Sequence, residues 1–104
     1  MAFAVQHHFP GGTQAQYEAT LTAVHGSMDV LPEGQLFHLA GAVPGGWEIF
    51  AVHDNKASWV KFRDEVLMPR FQAGIEGGFT TPPDETEIEV SRLIQSPQLA
   101  KVSA

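Results

Sequence analysis

Five histidines, His7, His8, His25, His38 and His53, and a single tyrosine, Tyr17, carry the most obvious chemistry in this 104-residue chain. Histidine takes and gives protons near neutral pH, so one held in a dry pocket is a natural general base. Tyr17 has two roles open to it: a donor to a substrate oxygen, or a core aromatic whose hydroxyl finds a partner in the protein. His7 and His8 are neighbours in an extended segment, so they must face opposite sides of a sheet. His38 and His53 fall on two further strands. Each of these four is a candidate acid–base residue, against the plainer reading of an interior histidine with its hydrogen bonds satisfied. His25 falls in the last turn of a helix, on its polar side, where the helix dipole favours a surface role. No His-x-His or helical His-x-x-x-His spacing occurs and cysteine is absent, so no metal site is expected.

Aromatic residues supply walls for a pocket. Phe37, Trp47, Phe50, Trp59 and Phe62 are the candidates for binding a planar or hydrophobic molecule. Arg92 interrupts an apolar alternation, and an inward guanidinium there needs an acidic partner or a substrate carboxylate. Glycine-rich nucleotide loops and the Gly-x-Ser-x-Gly elbow are missing, so nucleotide-dependent and serine-hydrolase mechanisms have no support.

Periodicity defines the elements that must position these residues. Residues 2–9 alternate as a strand, with Phe3, Val5, His7 and Phe9 on one face. Pro10-Gly11-Gly12 ends it, and Thr13 with Gln16 forms a capping box for a helix over about 14–25. Tyr17, Leu21, Val24 and Met28 form its apolar stripe, and Gly26 supplies the stop. Residues 35–43 and 47–53 read as a hairpin around Pro44-Gly45-Gly46. A second helix over about 56–73 contains Pro69, which has no N–H and should interrupt it. A Gly/Pro-rich loop over 74–84 precedes a last strand over about 86–94, with Ile88, Val90, Arg92 and Ile94 on one face. Residues 1–95 then form one domain and 96–104 a flexible tail.

The order β-α-β-β-α-β is that of a ferredoxin-like α+β fold, one four-stranded antiparallel sheet with both helices on one face. The strands carry apolar or uncharged side chains at most positions on both faces, and charged residues are only 17% of the chain, so the uncovered face is expected to pack on a second copy. A homodimer is the expected state. The net charge of −6 with six basic residues argues against nucleic acid and anionic membranes as partners. With no long apolar run and no basic signal-type start, a cytoplasmic protein is expected.

Phe9-Pro-Gly-Gly-Thr13 leading into Gln16-Tyr17, Leu31-Pro-Glu-Gly-Gln-Leu-Phe-His38, and Pro44-Gly-Gly-Trp47 resemble a group of small bacterial proteins. Element order and length resemble the dimeric α/β-barrel superfamily that holds the antibiotic-biosynthesis monooxygenase-like domains. The resemblance implies a pocket between the sheet and its own helices, in which a histidine or tyrosine moves the proton. It leaves several activities open, among them cofactor-free oxygenases, cyclases and isomerases. The function expected is a small enzyme without cofactor, acting on a hydrophobic, aromatic or polyketide-like molecule by histidine acid–base chemistry. The alternatives are a non-catalytic ligand-binding homodimer and a haem-associated protein. A pocket histidine with a second polar group in hydrogen-bond reach favours catalysis, and a purely apolar pocket favours binding.

Overall fold

The computed structural model describes residues 1–26 and 30–101. Met28, expected in the apolar stripe of the first helix, lies outside them. Strand β1 (Phe3–Pro10) leads to helix α1 (Gln14–His25), then to β2 (Gln35–Val43) and β3 (Gly46–His53). Helix α2 (Lys56–Phe62) runs through a π-helical stretch (Arg63–Leu67) into α3 (Met68–Ala73), and β4 (Asp84–Glu89) closes the sheet. The strand order is β2-β3-β1-β4, every pair antiparallel. This is the ferredoxin-like α+β arrangement, with the first strand placed centrally between the third and the fourth.

Local chemistry explains the boundaries. Thr13 Oγ1 accepts from the Gln16 N–H at 3.2 Å and the Gln16 side chain accepts from the Thr13 N–H at 3.0 Å, the reciprocal cap expected for α1. Gly26 ends α1 in the left-handed region at φ 74°, which a residue with a Cβ rarely adopts. The two Pro-Gly-Gly turns, 34 residues apart in sequence, meet in space: the Gly11 N–H donates to the Gly45 carbonyl at 2.8 Å. A Cβ on Gly46 would collide with the Phe9 carbonyl, so glycine is what lets β3 start this close to the end of β1.

Pro69 does interrupt the second helical region, and the interruption spreads upstream of it. The Met68 N–H reaches back five residues to the Arg63 carbonyl. Because Pro69 has no N–H to return to the preceding turn, the helix widens into π turns and restarts as α3 with the proline in its first turn.

One face of the sheet carries the core. Phe3 and Val5 pack with Trp59 and Phe62, and Val24, Val66 and Leu67 close around them. The opposite face differs from expectation in two ways. It is not free of charge: Glu48 lies there, accepting from Gln6 Nε2 at 2.7 Å and from His8 Nδ1 at 3.1 Å. The Gln6 amide, more than His8, holds the Glu48 carboxyl below its ordinary range. Nor is that face wholly uncovered. Leu93, Ile94 and Leu99 from the C-terminal segment line a hollow with Phe37, Phe50 and Val52, and Pro97–Lys101 makes a 3₁₀ turn.

The last strand also departs from its expected range. It ends at Glu89, so Arg92 lies beyond it and is exposed, with no inward guanidinium to pair. Glu85, Glu87 and Glu89, opposite His7, Val5 and Phe3, take the helix-side positions, and Ile88 falls on the other face opposite Ala4. An edge strand whose every residue is exposed has no helix above it, so alternation there does not report burial.

Candidate functional site

Strand alternation and helix pitch bring most of the expected residues to one place. On β1, His7 shares the helix-side face with Phe3, Val5 and Phe9, and it is buried. On β3 the same face carries Trp47, Ile49, Ala51 and His53. The residues of α1 one turn apart, Tyr17, Leu21 and His25, point down onto it, and α2 contributes Trp59 and Phe62. Between them lies a half-enclosed cavity of about 80 Å³. His7, Tyr17, His25, Gln35, His38 and His53 are its main polar lining, and Trp59, Phe62, Leu67, Phe71 and Pro83 stand among the apolar wall.

Of the expected site residues, His7, Tyr17, His38, His53, Trp59 and Phe62 line this cavity. Trp47 is buried beside it, its ring centroid 5.2 Å from that of Tyr17. Three others lie on the opposite sheet face: His8 on Glu48, and Phe37 and Phe50 under the C-terminal segment. The expectation that Phe37 and Phe50 wall this pocket is therefore corrected. They alternate with His38 and Ile49 and point the other way. Arg92 is exposed and does not line the cavity.

Two lining residues that stand against His38 are missing from the candidates that sequence reasoning supplies. His25, expected on the solvent side of α1, instead has its ring 5.6 Å from that of His38 and 5.8 Å from that of Phe62. Its spacing carried the signal: four residues from Leu21 and eight from Tyr17 put it on the same stripe. Gln35 is the other. It lies three positions before His38, an odd spacing that alternation sends to opposite faces. A β-bulge between Gln35 and Phe37 absorbs Leu36 and returns both to the cavity side.

The bulge creates the most organised feature of the site. His38 Nδ1 lies 2.9 Å from Gln35 Oε1, an oxygen that only accepts, so Nδ1 carries the proton. His38 Nε2 is then the bare nitrogen and accepts from the Tyr17 hydroxyl at 2.7 Å. Burial, reinforced by His25 and His53 nearby, pushes the His38 pKa down to about 4. Burial also raises Tyr17 above its ordinary value and lowers His25 and His53. At neutral pH the cluster is uncharged, with one imidazole locked in a basic tautomer. On the far side His7 Nε2 donates to Glu85 Oε2 at 3.0 Å.

His53 differs from the others. It is 1% exposed, and neither ring nitrogen has a partner among the described residues. The indole N–H groups of Trp59 and Trp47 are buried and unpartnered as well. Each such group costs about 1–3 kcal/mol if left dry. Among the described residues no three His, Asp or Glu side chains converge as a metal site requires.

The loop after α3 is tied across the end of the cavity. Phe79 stacks on Phe9 with centroids 3.8 Å apart, its N–H donates to Thr20 Oγ1 at 3.3 Å, and Thr81 Oγ1 donates to the Pro10 carbonyl at 3.0 Å. Pro83 from this loop reaches the cavity wall.

Fold and site together define a ferredoxin-like α+β protein with a histidine-lined cavity between its sheet and its helices. Among solved structures, Rv0793 from Mycobacterium tuberculosis is similar to it, with a TM-score of 0.65 over 91% of this chain and 100% of that one. The identity is 13%, so the likeness carries the fold alone. No protein-family model and no curated protein matches the chain. Among the described residues no helix is long and apolar enough to cross a membrane.

Proposed function

We propose that this protein is a small enzyme without cofactor, which removes a proton from a compact hydrophobic or aromatic molecule bound in the cavity. The observation that carries the reading is the Gln35–His38–Tyr17 chain. A substrate hydrogen passes to the Tyr17 oxygen as the Tyr17 proton passes to His38 Nε2. The tyrosine is neutral before and after, and the imidazolium formed keeps its Nδ1–H on Gln35. The carbanion, enolate or phenolate left behind is the species from which monooxygenation, cyclisation and isomerisation all proceed. A pocket histidine with a second polar group at 2.7 Å supports catalysis over plain ligand storage. The volume narrows the substrate. About 80 Å³ is well below the roughly 300 Å³ of ordinary ligand pockets, which favours a single ring over a polyketide.

The same reading makes the protein a member of the dimeric α/β-barrel group, working as a homodimer through the sheet face opposite the helices. Leu39 and Ile88, at 49% and 39% exposure, are the apolar side chains that support a partner there.

The test is turnover of two probes, oxygen uptake with hydroquinone and deuterium exchange into the α-carbons of cyclohexanone. His38→Gln should lower the active rate by about 10²–10⁴, the usual worth of a positioned acid–base group. Tyr17→Phe, which breaks the relay, should lower it comparably. Both variants should keep the wild-type far-UV spectrum. Full activity in His38→Gln would overturn the mechanism.

A further inference from the structure

The Tyr17–His38 relay removes a proton, and the cavity holds a second proton-handling group that the relay does not use. His7 lines the cavity from β1, and its Nε2 lies 3.0 Å from Glu85 Oε2 on β4. An ionised carboxylate only accepts, so Nε2 keeps its proton and Nδ1 is the nitrogen that gains or loses one. Unlike both nitrogens of His53, His7 Nδ1 is not sealed, and the side chain keeps 11% of its area accessible. Glu85 does not itself line the cavity, so it holds the imidazole from behind.

Topology sets His7 against His38. Strand β3 lies between β1 and β2, with Ile49 paired to His7 and Ala51 paired to His38. All four residues line the cavity. Ile49 and Ala51 are therefore its floor, and the histidines rise from strands on either side, about 10 Å apart by two strand spacings. A single ring on that floor has one edge toward each histidine.

Monooxygenation of an enolate consumes oxygen, and cyclisation needs a molecule long enough to fold on itself, against about 80 Å³ here. A proton shift needs only a second acid–base group beside a different atom. We infer that His7, positioned by Glu85, is that group, and that the enzyme isomerises a small, neutral, cyclic β,γ-unsaturated ketone. The inference rests on the Tyr17–His38 relay and names the substrate class of its site. The relay breaks a C–H bond between the carbonyl and the double bond, and the electron pair spreads over a dienolate. Protonated His7 gives its Nδ1 hydrogen to the γ-carbon, and the double bond moves into conjugation with the carbonyl. His38 then holds one proton more and His7 one fewer, and exchange with water restores both. The balance needs no oxidant or reductant.

The probe is 3-cyclohexenone, whose conversion to 2-cyclohexenone is followed by ultraviolet absorbance, beside deuterium exchange at the α-carbons of cyclohexanone. The wild type should do both, since exchange needs the relay alone. His7→Gln should lower isomerisation by about 10²–10⁴, at least about tenfold more than it lowers exchange. His38→Gln should lower both. Glu85→Ala should cut isomerisation about tenfold, the worth of one hydrogen bond to a charged group. Glu85→Gln, whose amide oxygen still accepts from Nε2–H, should restore most of it. Nitrogen-15 shifts of neutral His7 should show the proton on Nε2 in the wild type and Glu85→Gln, and mixed tautomers in Glu85→Ala. Glu85 is partly exposed, so its two variants read the site even if His7→Gln fails to fold. Isomerisation that His7→Gln lowers no more than exchange, or that Glu85→Ala leaves at the wild-type rate, would overturn the inference. A wild type that exchanges without isomerising also sinks it and leaves the relay standing. If isomerisation is lost in His7→Gln but persists in His38→Gln, the relay falls and His7 keeps its role. A wild type that does neither overturns both.

Discussion

His38 shows how position fixes the tautomer of an imidazole and keeps it neutral. Its Nδ1 proton is fixed by an oxygen that only accepts, and its Nε2 is aimed at a phenol, while burial lowers its pKa to about 4. The consequence for stability has a definite sign. An unfolded histidine titrates near 6.5, so between about pH 6.5 and 4 the unfolded chain binds the proton that folded His38 refuses. Stability is therefore full above about pH 6.5 and falls as the pH drops toward 4. The loss from this residue is at most about 3 kcal/mol, and less because its partial exposure screens the charge. Chemical denaturation across this window should show the slope in the wild type and a shallower one in His38→Gln. His25 and His53, lowered in the same direction, add to it. An equal slope in both proteins would place the titration elsewhere.

The elements hold the site through a few close approaches. β1 and β3 converge where Gly46 meets the Phe9 carbonyl, and the hydrogen bond from Gly11 to Gly45 locks the two turns together. Gly46→Ala should destabilise the fold by about 1–3 kcal/mol, the usual cost of forcing atoms into filled space, and thermal denaturation reads it directly. A variant that melts like the wild type would mean that β3 can slide away from β1 without penalty. The π stretch after α2 matters for a different reason. Each π turn rotates the downstream helix relative to the upstream one, so Arg63–Leu67 helps decide that Leu67 and Phe71 reach the cavity wall.

At the scale of the whole molecule, the two sheet faces differ. One is closed by the helices and holds the cavity. The other carries the Gln6–Glu48–His8 network and a partial cover from the C-terminal segment, with Leu39 and Ile88 still open to solvent. Sedimentation at roughly micromolar concentration should give twice the 11.3 kDa chain mass, with coupled dissociation and unfolding on dilution. Leu39→Glu should shift the mass to one chain, because a charge cannot be buried there without a partner. A wild-type chain that sediments at 11.3 kDa would sink the dimer.

Local chemistry was legible in the residues themselves. The cap at Thr13 and Gln16, the stop at Gly26, the hairpin over residues 35–53 and the break forced by Pro69 all depend on neighbours in the chain. So does the single strand face shared by Phe3, Val5, His7 and Phe9. Those features decided the element order, and with it the ferredoxin-like topology. Which side of the sheet the helices would cover was not encoded locally. Phe37 and Phe50 looked as fit for a pocket as Trp59 and Phe62, because an apolar side chain reads the same on either face. Gln35 joined the site through a single bulge, a choice made by pairing with β3 and not by the residues of β2 alone. Arg92 misled because alternation past Glu89 continues in the sequence after the strand has no partner left to pair with. The orphaned nitrogens of His53 arise from long-range packing of β3 against α2. Only the assembled core determines which polar atoms are cut off from water, and that is what tertiary structure decided here.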